Sequence, residues 1–467
     1  MRIRSNVFQV IRQATIPALL LVLLLAGARA NAQLQTPPAP PQQAGGSDSN
    51  YIVTFRPGTS QADRAASVRR AGASLRFNYS IVDAVAITGA GVNVIAALQG
   101  DISVLEIIPD RTVRAFQADQ ASGNARPGGG GGGGGGEVIP AGVTRVGVPT
   151  STSNGSGIGV AIVDTGIDLA HADLQGGLAG ASFTAFGTSC QDGNGHGTHV
   201  AGIVGARDNT IDVVGVAPNS TLYCVRVLDA SGSGTDSTVM AGLDWVAQTN
   251  GFIDPITKSC TVTNSAAPIR VVNMSLGRSG SLDDNPALRG SVQCLYNKGV
   301  AVVVAAGNDS SKEVSQMIPA GYPEVLAVAS TTAVIGSNAG CKFYNQTIKA
   351  DTASYFTTDG AFTGGIGVTI SAPGADQENI NKACFISSVG ILSLKLGGGT
   401  TRMSGTSMAS PHVAGIVARL MQTGLTNVET IRSTIRSSAD RVVTAPLNSP
   451  ASGYSFDGER EGIAKAP

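Results

Sequence analysis

Hydrophobic periodicity occupies two regions of the chain. In the first, Tyr51–Phe55 alternates apolar and polar residues as a strand does, and Gln61–Ala71 has helical spacing. Ile81–Ile87 reads as a second strand, Val92–Leu98 as a helix and Val104–Ile108 as a third strand, which together predict a small α+β module. In the second region strand-like apolar runs recur at Gly159–Val163, Thr221–Leu228, Arg270–Met274, Val300–Ala305 and Val325–Ala329. Helical stretches separate them, at Gly197–Ala206, Thr235–Thr249, Ala287–Lys298 and Ser407–Met421. This alternation predicts an α/β domain, a parallel sheet with helices on both faces. Sites in such domains lie beyond the carboxyl ends of the strands.

Two low-complexity stretches punctuate the pattern. Residues 33–50 form a Pro-, Gln-, Gly- and Ser-rich linker, and residues 117–136 end in nine consecutive glycines. Residues 1–32 have the make-up of a secretory signal: Arg2, Arg4 and Arg12, then the apolar Ala18–Gly27, then small residues around Ala28–Ala32. That apolar run is shorter than the roughly 20 residues a membrane anchor needs. The expected organisation is therefore a signal at 1–32, a linker at 33–50, the module at 51–116, a glycine tether at 117–136 and the main domain at 137–467. Export to the extracellular space or periplasm follows, with no membrane anchor. The 467 residues hold 32 basic and 32 acidic side chains, so charge points neither to nucleic acid nor to an acidic membrane as partner.

The chemistry concentrates in three short blocks. Gly405-Thr-Ser-Met-Ala-Ser-Pro-His-Val-Ala-Gly415 places Ser407 where a loop becomes a helix, beside unpaired N–H groups and the positive end of the dipole. Pro411 is expected in the first turn, where a missing N–H costs nothing. A lone serine of this kind is usually a helix cap, and Ala409 stands where a Gly-x-Ser-x-Gly elbow needs its second glycine. Asp164 follows the strand Gly159–Val163, and His196 lies in Asp192-Gly-Asn-Gly-His-Gly-Thr-His-Val-Ala-Gly202. Together, in this order, the blocks resemble the Asp, His and Ser motifs of the subtilisin-like serine proteases (subtilases).

That resemblance implies the subtilisin-like fold and a secreted serine endopeptidase. Ser407 would be the nucleophile, His196 the general base and Asp164 its orienting partner. Asn308, ending Val302-Val-Val-Ala-Ala-Gly-Asn308, resembles the oxyanion-hole asparagine. His171, His199 and His412 fall at positions with structural roles. Ser231, Gly232, Ser233 and Gly234, with Ser275, Leu276 and Gly277, resemble the two extended segments that pair with a substrate backbone. Met317 stands near the floor of the main specificity pocket, with an apolar preference.

The module at 51–116 resembles the family's propeptide, a folding chaperone and intramolecular inhibitor released by self-cleavage after Phe116 or somewhat later. Structural Ca2+ is implied by Arg207-Asp-Asn-Thr-Ile-Asp-Val213, with oxygens from Glu137, Asp173, Arg207, Asn209, Ile211 and Val213. Asp212 stands there in place of a usual glycine. The remaining expectations are protein or peptide substrates, a monomer, and a disulfide-pinned insertion at Gly336–Gly365. Six cysteines in an exported chain favour disulfides. Many connectivities are open, and pairing of neighbours gives 190–224, 260–294 and 341–384. Two other classes stay in view: an inactive peptide-binding module on the same fold, and a thiol or metal hydrolase, against which the motifs' lack of a Cys/His pair or metal-ligand cluster argues.

Overall fold

In the N-terminal lobe of the computed structural model, β1 (Tyr51–Phe55), β2 (Ser74–Asn78), β3 (Ala84–Thr88) and β4 (Val104–Pro109) form an antiparallel sheet in the order β2-β3-β1-β4. The structure describes residues 50–116 and 136–467, so the signal, nearly all of the 33–50 linker and nearly all of the glycine tether lie outside the described residues. Helices α1 (Gln61–Ala71) and α2 (Val92–Gln99) cover one face, over Val53, Phe55, Val68, Val85, Ile87 and Leu98. Ser60 caps α1 by accepting from the Asp63 N–H, and Gly72 ends it in the left-handed conformation. The sequence pattern missed β2, whose residues Ser74-Leu-Arg-Phe-Asn78 show no alternation of burial. The strand expected at 81–87 starts only at Ala84. The N–H groups of Ser80 and Ile81 instead reach Asp244 of the main domain, at 3.0 and 2.7 Å. After β4 the chain runs as β5 (Thr112–Ala115) into the main domain.

The main domain begins with the short α3 (Ala141–Arg145) and is built on seven strands. These are β6 (Gly159–Asp164), β7 (Phe183–Thr184), β8 (Thr221–Arg226), β10 (Ile269–Met274), β12 (Ala301–Ala305), β14 (Val325–Thr332) and β15 (Val368–Ala375). All pair in parallel, in the order β15-β14-β12-β10-β6-β8-β7. Successive residues face opposite sides: Ala161 and Val163 join one core, Val160 and Ile162 the other. The first core lies under α5 (Asp236–Thr249) and α6 (Pro286–Asn297); the second lies under α4 (His196–Gly205), α7 (Thr406–Gln422) and α8 (Val428–Ser438). Burial on both faces explains why these strands read as unbroken apolar runs.

The open face of the N-terminal sheet (Ile52, Ala84, Ala86) shares the core under α5 and α6. Polar contacts fix it there. Tyr79 donates to the Ser237 carbonyl at 2.9 Å, and the buried Asp110 carboxylate accepts from the Ser237 N–H and hydroxyl at 2.9 and 2.6 Å.

The sequence did not predict β15 (Val-Thr-Ile-Ser-Ala-Pro-Gly-Ala) as a strand. Pro373 argues against a central strand, and β15 lies at the sheet's edge, where proline is tolerated. The C-terminal segment covers that edge, with Ser371 N–H donating to Gly462 O and Ala464 N–H to Ser371 O. Beyond β15, β16 (Gln377–Ile380) pairs with β17 (Ile386–Val389), and β18 (Ile391–Leu394) with β19 (Thr400–Met403). The disulfides join Cys190–Cys224, Cys260–Cys294 and Cys341–Cys384, the neighbour pairing.

Candidate active site

Asp164 ends β6, and the neighbouring β10 and β12 run out into Ser275 and Asn308, so three functional segments meet beyond the carboxyl end of one sheet. His196 opens α4, and its Nδ1 lies 2.8 Å from Asp164 Oδ1, with both side chains buried. Gly197 permits this approach: a Cβ there would stand 2.1 Å from the Gly166 carbonyl and 3.1 Å from Asp164 Oδ1. His196 Nε2 is buried with no hydrogen-bond partner among the described residues, so no contact there competes for a proton.

Ser407 is the second residue of α7, and its hydroxyl donates to the Ser275 carbonyl at 2.9 Å rather than to His196. Pro411 lies in the second turn of α7, not in the first as the sequence suggested. Proline there removes the N–H that would bond the carbonyl four residues back, that of Ser407. The Ser275 hydroxyl takes its place, donating to Ser407 O at 2.8 Å. Asn273 and Ser410 extend this buried network, with Asn273 Nδ2 donating to Ser275 Oγ at 3.0 Å and Ser410 Oγ to Asn273 Oδ1 at 2.7 Å. Asn308 Oδ1 accepts from the Thr406 N–H at 3.0 Å and hydroxyl at 2.9 Å. Its Nδ2 is buried and unpartnered among the described residues.

Strand β5 lies between β9 (Ser233–Thr235) and β11 (Leu276–Ser279), antiparallel to both. Val113 faces Gly234, Arg114 faces Ser233 and Gly277, and Ala115 faces Leu276. The Ala115 N–H reaches the Gly232 carbonyl at 3.0 Å, and the Phe116 N–H reaches Ser275 O at 3.2 Å, the oxygen that also holds the Ser407 hydroxyl. Of the expected backbone-pairing residues only Ser231 stands outside this ladder, with its N–H and hydroxyl on Asp229. The Phe116 ring lies over Gly277, where a Cβ would come within 2.8 Å of it. Met317, in the short strand β13 (Met317–Ile318), packs in the same core as Phe116 and abuts Gly307.

The subtilase family model matches residues 155–454. The chain belongs to the subtilase family. It is 36% identical over 291 residues to subtilisin DY of Bacillus licheniformis, covering 61% of this chain and 85% of that protein. Against subtilisin Savinase of Lederbergia lenta it is 36% identical over 287 residues, covering 61% and 84%. Against subtilisin amylosacchariticus of Bacillus subtilis subsp. amylosacchariticus it is 33% identical over 337 residues, covering 71% of each. The fold matches fervidolysin from Fervidobacterium pennivorans, a keratinolytic enzyme related to subtilisin, with a TM-score of 0.61 and 21% identity over 90% of this chain; the chain spans 60% of that one. It is therefore a serine endopeptidase with a subtilisin-like fold.

The other histidines of this subtilase have structural surroundings. His199 is buried with Nε2 3.0 Å from the Ile391 carbonyl, and burial pulls it down to about 3. His412 lies 2.7 Å from Met408 O and is likewise drawn down to about 4 by burial. His171 accepts from the Asp173 N–H through Nδ1.

At the calcium loop, Glu137 Oε1 accepts from the Asn209 and Thr210 N–H groups at 2.7 and 3.1 Å. Asp173 Oδ2 accepts from the Val213 N–H at 3.2 Å, while Oδ1 is buried without a partner among the described residues. Burial pushes Asp173 up to about 7, and the charges of Asp212 and Glu137 add to this. A buried carboxylate oxygen without a partner, beside the Asn209 amide, is the kind of group a hard cation would take. Among the described residues no cluster of three or more His, Cys, Asp or Glu could hold a metal, so such an ion would rest on two carboxylates plus amide and backbone oxygens. Asp212 takes the left-handed conformation (φ 45°) that the usual glycine would supply.

Sequence reasoning missed Asp192, Thr165 and Thr406. Asp192 accepts from Thr165 Oγ1, the Asn194 and Gly195 N–H groups and both donors of Thr198, and so ties the start of α4 to the end of β6. It lies inside the His196 motif, but only the three-dimensional turn reveals its role.

Proposed function

We propose that this subtilase is made as a secreted preproprotein that cuts its own chain after Phe116, through Asp164, His196 and Ser407. The observation that carries the reading is the ladder: residues 112–116 lie as a substrate backbone would, and end beside Ser407. In the reaction the Ser407 hydroxyl leaves the Ser275 carbonyl and gives its proton to His196 Nε2. Oγ attacks the carbonyl carbon of the residue before the scissile bond. Asp164 holds Nδ1–H and stabilises the imidazolium. Asn308 Nδ2 and the Ser407 N–H bind the developing oxyanion. His196 then protonates the leaving amine, and water hydrolyses the acyl-enzyme through the same base.

Residues 51–116 act as the inhibitory propeptide in this reading, since the product strand stays in the cleft and hides it. Other substrates are extended protein segments with a large apolar residue before the cut, as Phe116 over Gly277 and beside Met317 exemplifies. The residues Glu137, Asp173 and Asn209, with the carbonyls of Arg207, Ile211 and Val213, would hold structural calcium, which ties the start of the domain to the loop after α4. Among the described residues no helix is long and apolar enough to cross a membrane. The enzyme acts as a monomer.

A fluorophosphonate probe separates this reading from an inactive peptide-binding module on the same fold. Processed enzyme is expected to label at Ser407, and Ser407→Ala and His196→Ala to remain unlabelled. A folded, propeptide-free chain that takes no label would overturn the reading.

A further inference from the structure

A lobe of the main domain has no part in the site described above. Its segments, residues 333–349 and 376–389, are stapled by Cys341–Cys384 (Cα–Cα 5.0 Å) around a small core of Ile348, Ile380 and Ile386. The Ala339 N–H reaches Ile380 O at 2.8 Å, and the β16–β17 turn is fixed by Asn381, whose side-chain oxygen accepts from the Phe385 N–H at 3.0 Å. Two aromatic residues lie close to the staple along the chain: Phe343, two residues from one half-cystine and 93% exposed, and Phe385, next to the other and 71% exposed. Single bare apolar side chains occur elsewhere on this surface, at Val92, Ile102 and Ile256, but here two aromatic ones flank the same disulfide.

The exposed charge of the two segments is of one sign. Lys342, Lys349 and Lys382 are exposed, and none pairs with a carboxylate among the described residues. The only acids of the two segments, Asp376 and Glu378, are buried, and Asp376 is paired with Arg402. The chain as a whole balances 32 basic against 32 acidic residues, so this concentration is local.

We infer that this lobe docks the enzyme peripherally on an anionic phospholipid bilayer, with Phe343 and Phe385 entering the headgroup–acyl boundary and the lysines against the phosphates. Two largely exposed rings suit insertion into a fluid interface. A protein hot spot instead sets its aromatics in a packed surround. Each lysine near an anionic surface raises partitioning about fivefold, and apolar insertion supplies the second signal that reversible membrane binding needs.

The test uses full-length Ser407→Ala, which cannot digest itself, sedimented with vesicles of phosphatidylcholine alone or with about a third phosphatidylglycerol. The inference predicts binding at least about tenfold stronger to the anionic vesicles, weakened by salt. F343S/F385S loses about tenfold or more, and K342S/K382S loses the preference for phosphatidylglycerol. With Ser407 intact, the same substitutions leave hydrolysis of a soluble peptide unchanged. Equal sedimentation with both vesicle types overturns the inference. So does binding that follows the lysines and salt but ignores the two phenylalanines, which would point to a soluble polyanion or an acidic protein. Unchanged thermal melting of the variants excludes misfolding as the cause of a loss.

Discussion

At the scale of single residues, Asn308 is the proposed donor to the charge that develops in the reaction. Its oxygen is taken by Thr406 and its nitrogen is unpartnered among the described residues, so substitution removes transition-state binding and little else. Asn308→Ala is expected to lower kcat roughly 100- to 1,000-fold, the range subtilisin itself shows for such a donor, with KM nearly unchanged. Steady-state kinetics on a peptide substrate check both halves. Glu378 offers a test away from the cleft. It is fully buried within the lobe stapled by Cys341–Cys384, and burial pushes it up to about 8. The native state therefore keeps a proton that the unfolded chain loses above its ordinary, lower value. This contribution to stability is present in acid and is lost as pH rises toward about 8. Thermal melting of Glu378→Gln should show an advantage over the parent that grows from pH 5 to pH 8; a constant gap contradicts the assignment. The Asp164–His196 pair was legible in sequence because each member lies in its own short motif. The Ser407 hydroxyl on Ser275, and the Ser275 hydroxyl taking the place of the N–H that Pro411 lacks, were not, because they join residues 132 apart.

Among elements, the docking of the N-terminal lobe on α5 depends on two buried carboxylates. Asp110 faces the start of the helix with Asp236 close by and Arg76 at 3.8 Å; Asp244 accepts the Ser80 and Ile81 N–H groups, with Gln248 and Arg64 near it. Burial is the first cause that raises both. Docking thus takes up protons, and the lobe is held most tightly in acid and released as pH rises through the raised values. After processing, gel filtration should find less of residues 51–116 retained at pH 8 than at pH 5. Asp110→Asn should flatten that dependence. The helices and central strands were legible from periodicity, since strands buried on both faces leave unbroken apolar runs. Strand β15 was masked by Pro373, tolerable only because it lies at the edge. The role of Thr112–Ala115 as a strand has no local signal: it exists only where β9 and β11 supply the partners.

For the whole molecule, the loop at 207–213 joins the start of the main domain to α4, with Val138 and Val213 bridged in parallel. Chelation of calcium is expected to shorten the half-life at elevated temperature while leaving kcat of the surviving enzyme unchanged, and excess calcium to restore the half-life. The central claim is that one chain is both enzyme and first substrate. Its most direct test is intact mass and N-terminal sequence of the expressed wild type beside Ser407→Ala. A cut after Phe116 is expected in the wild type and an intact chain in the variant. The same cut in both, or wild type that labels at Ser407 yet stays whole, would contradict it.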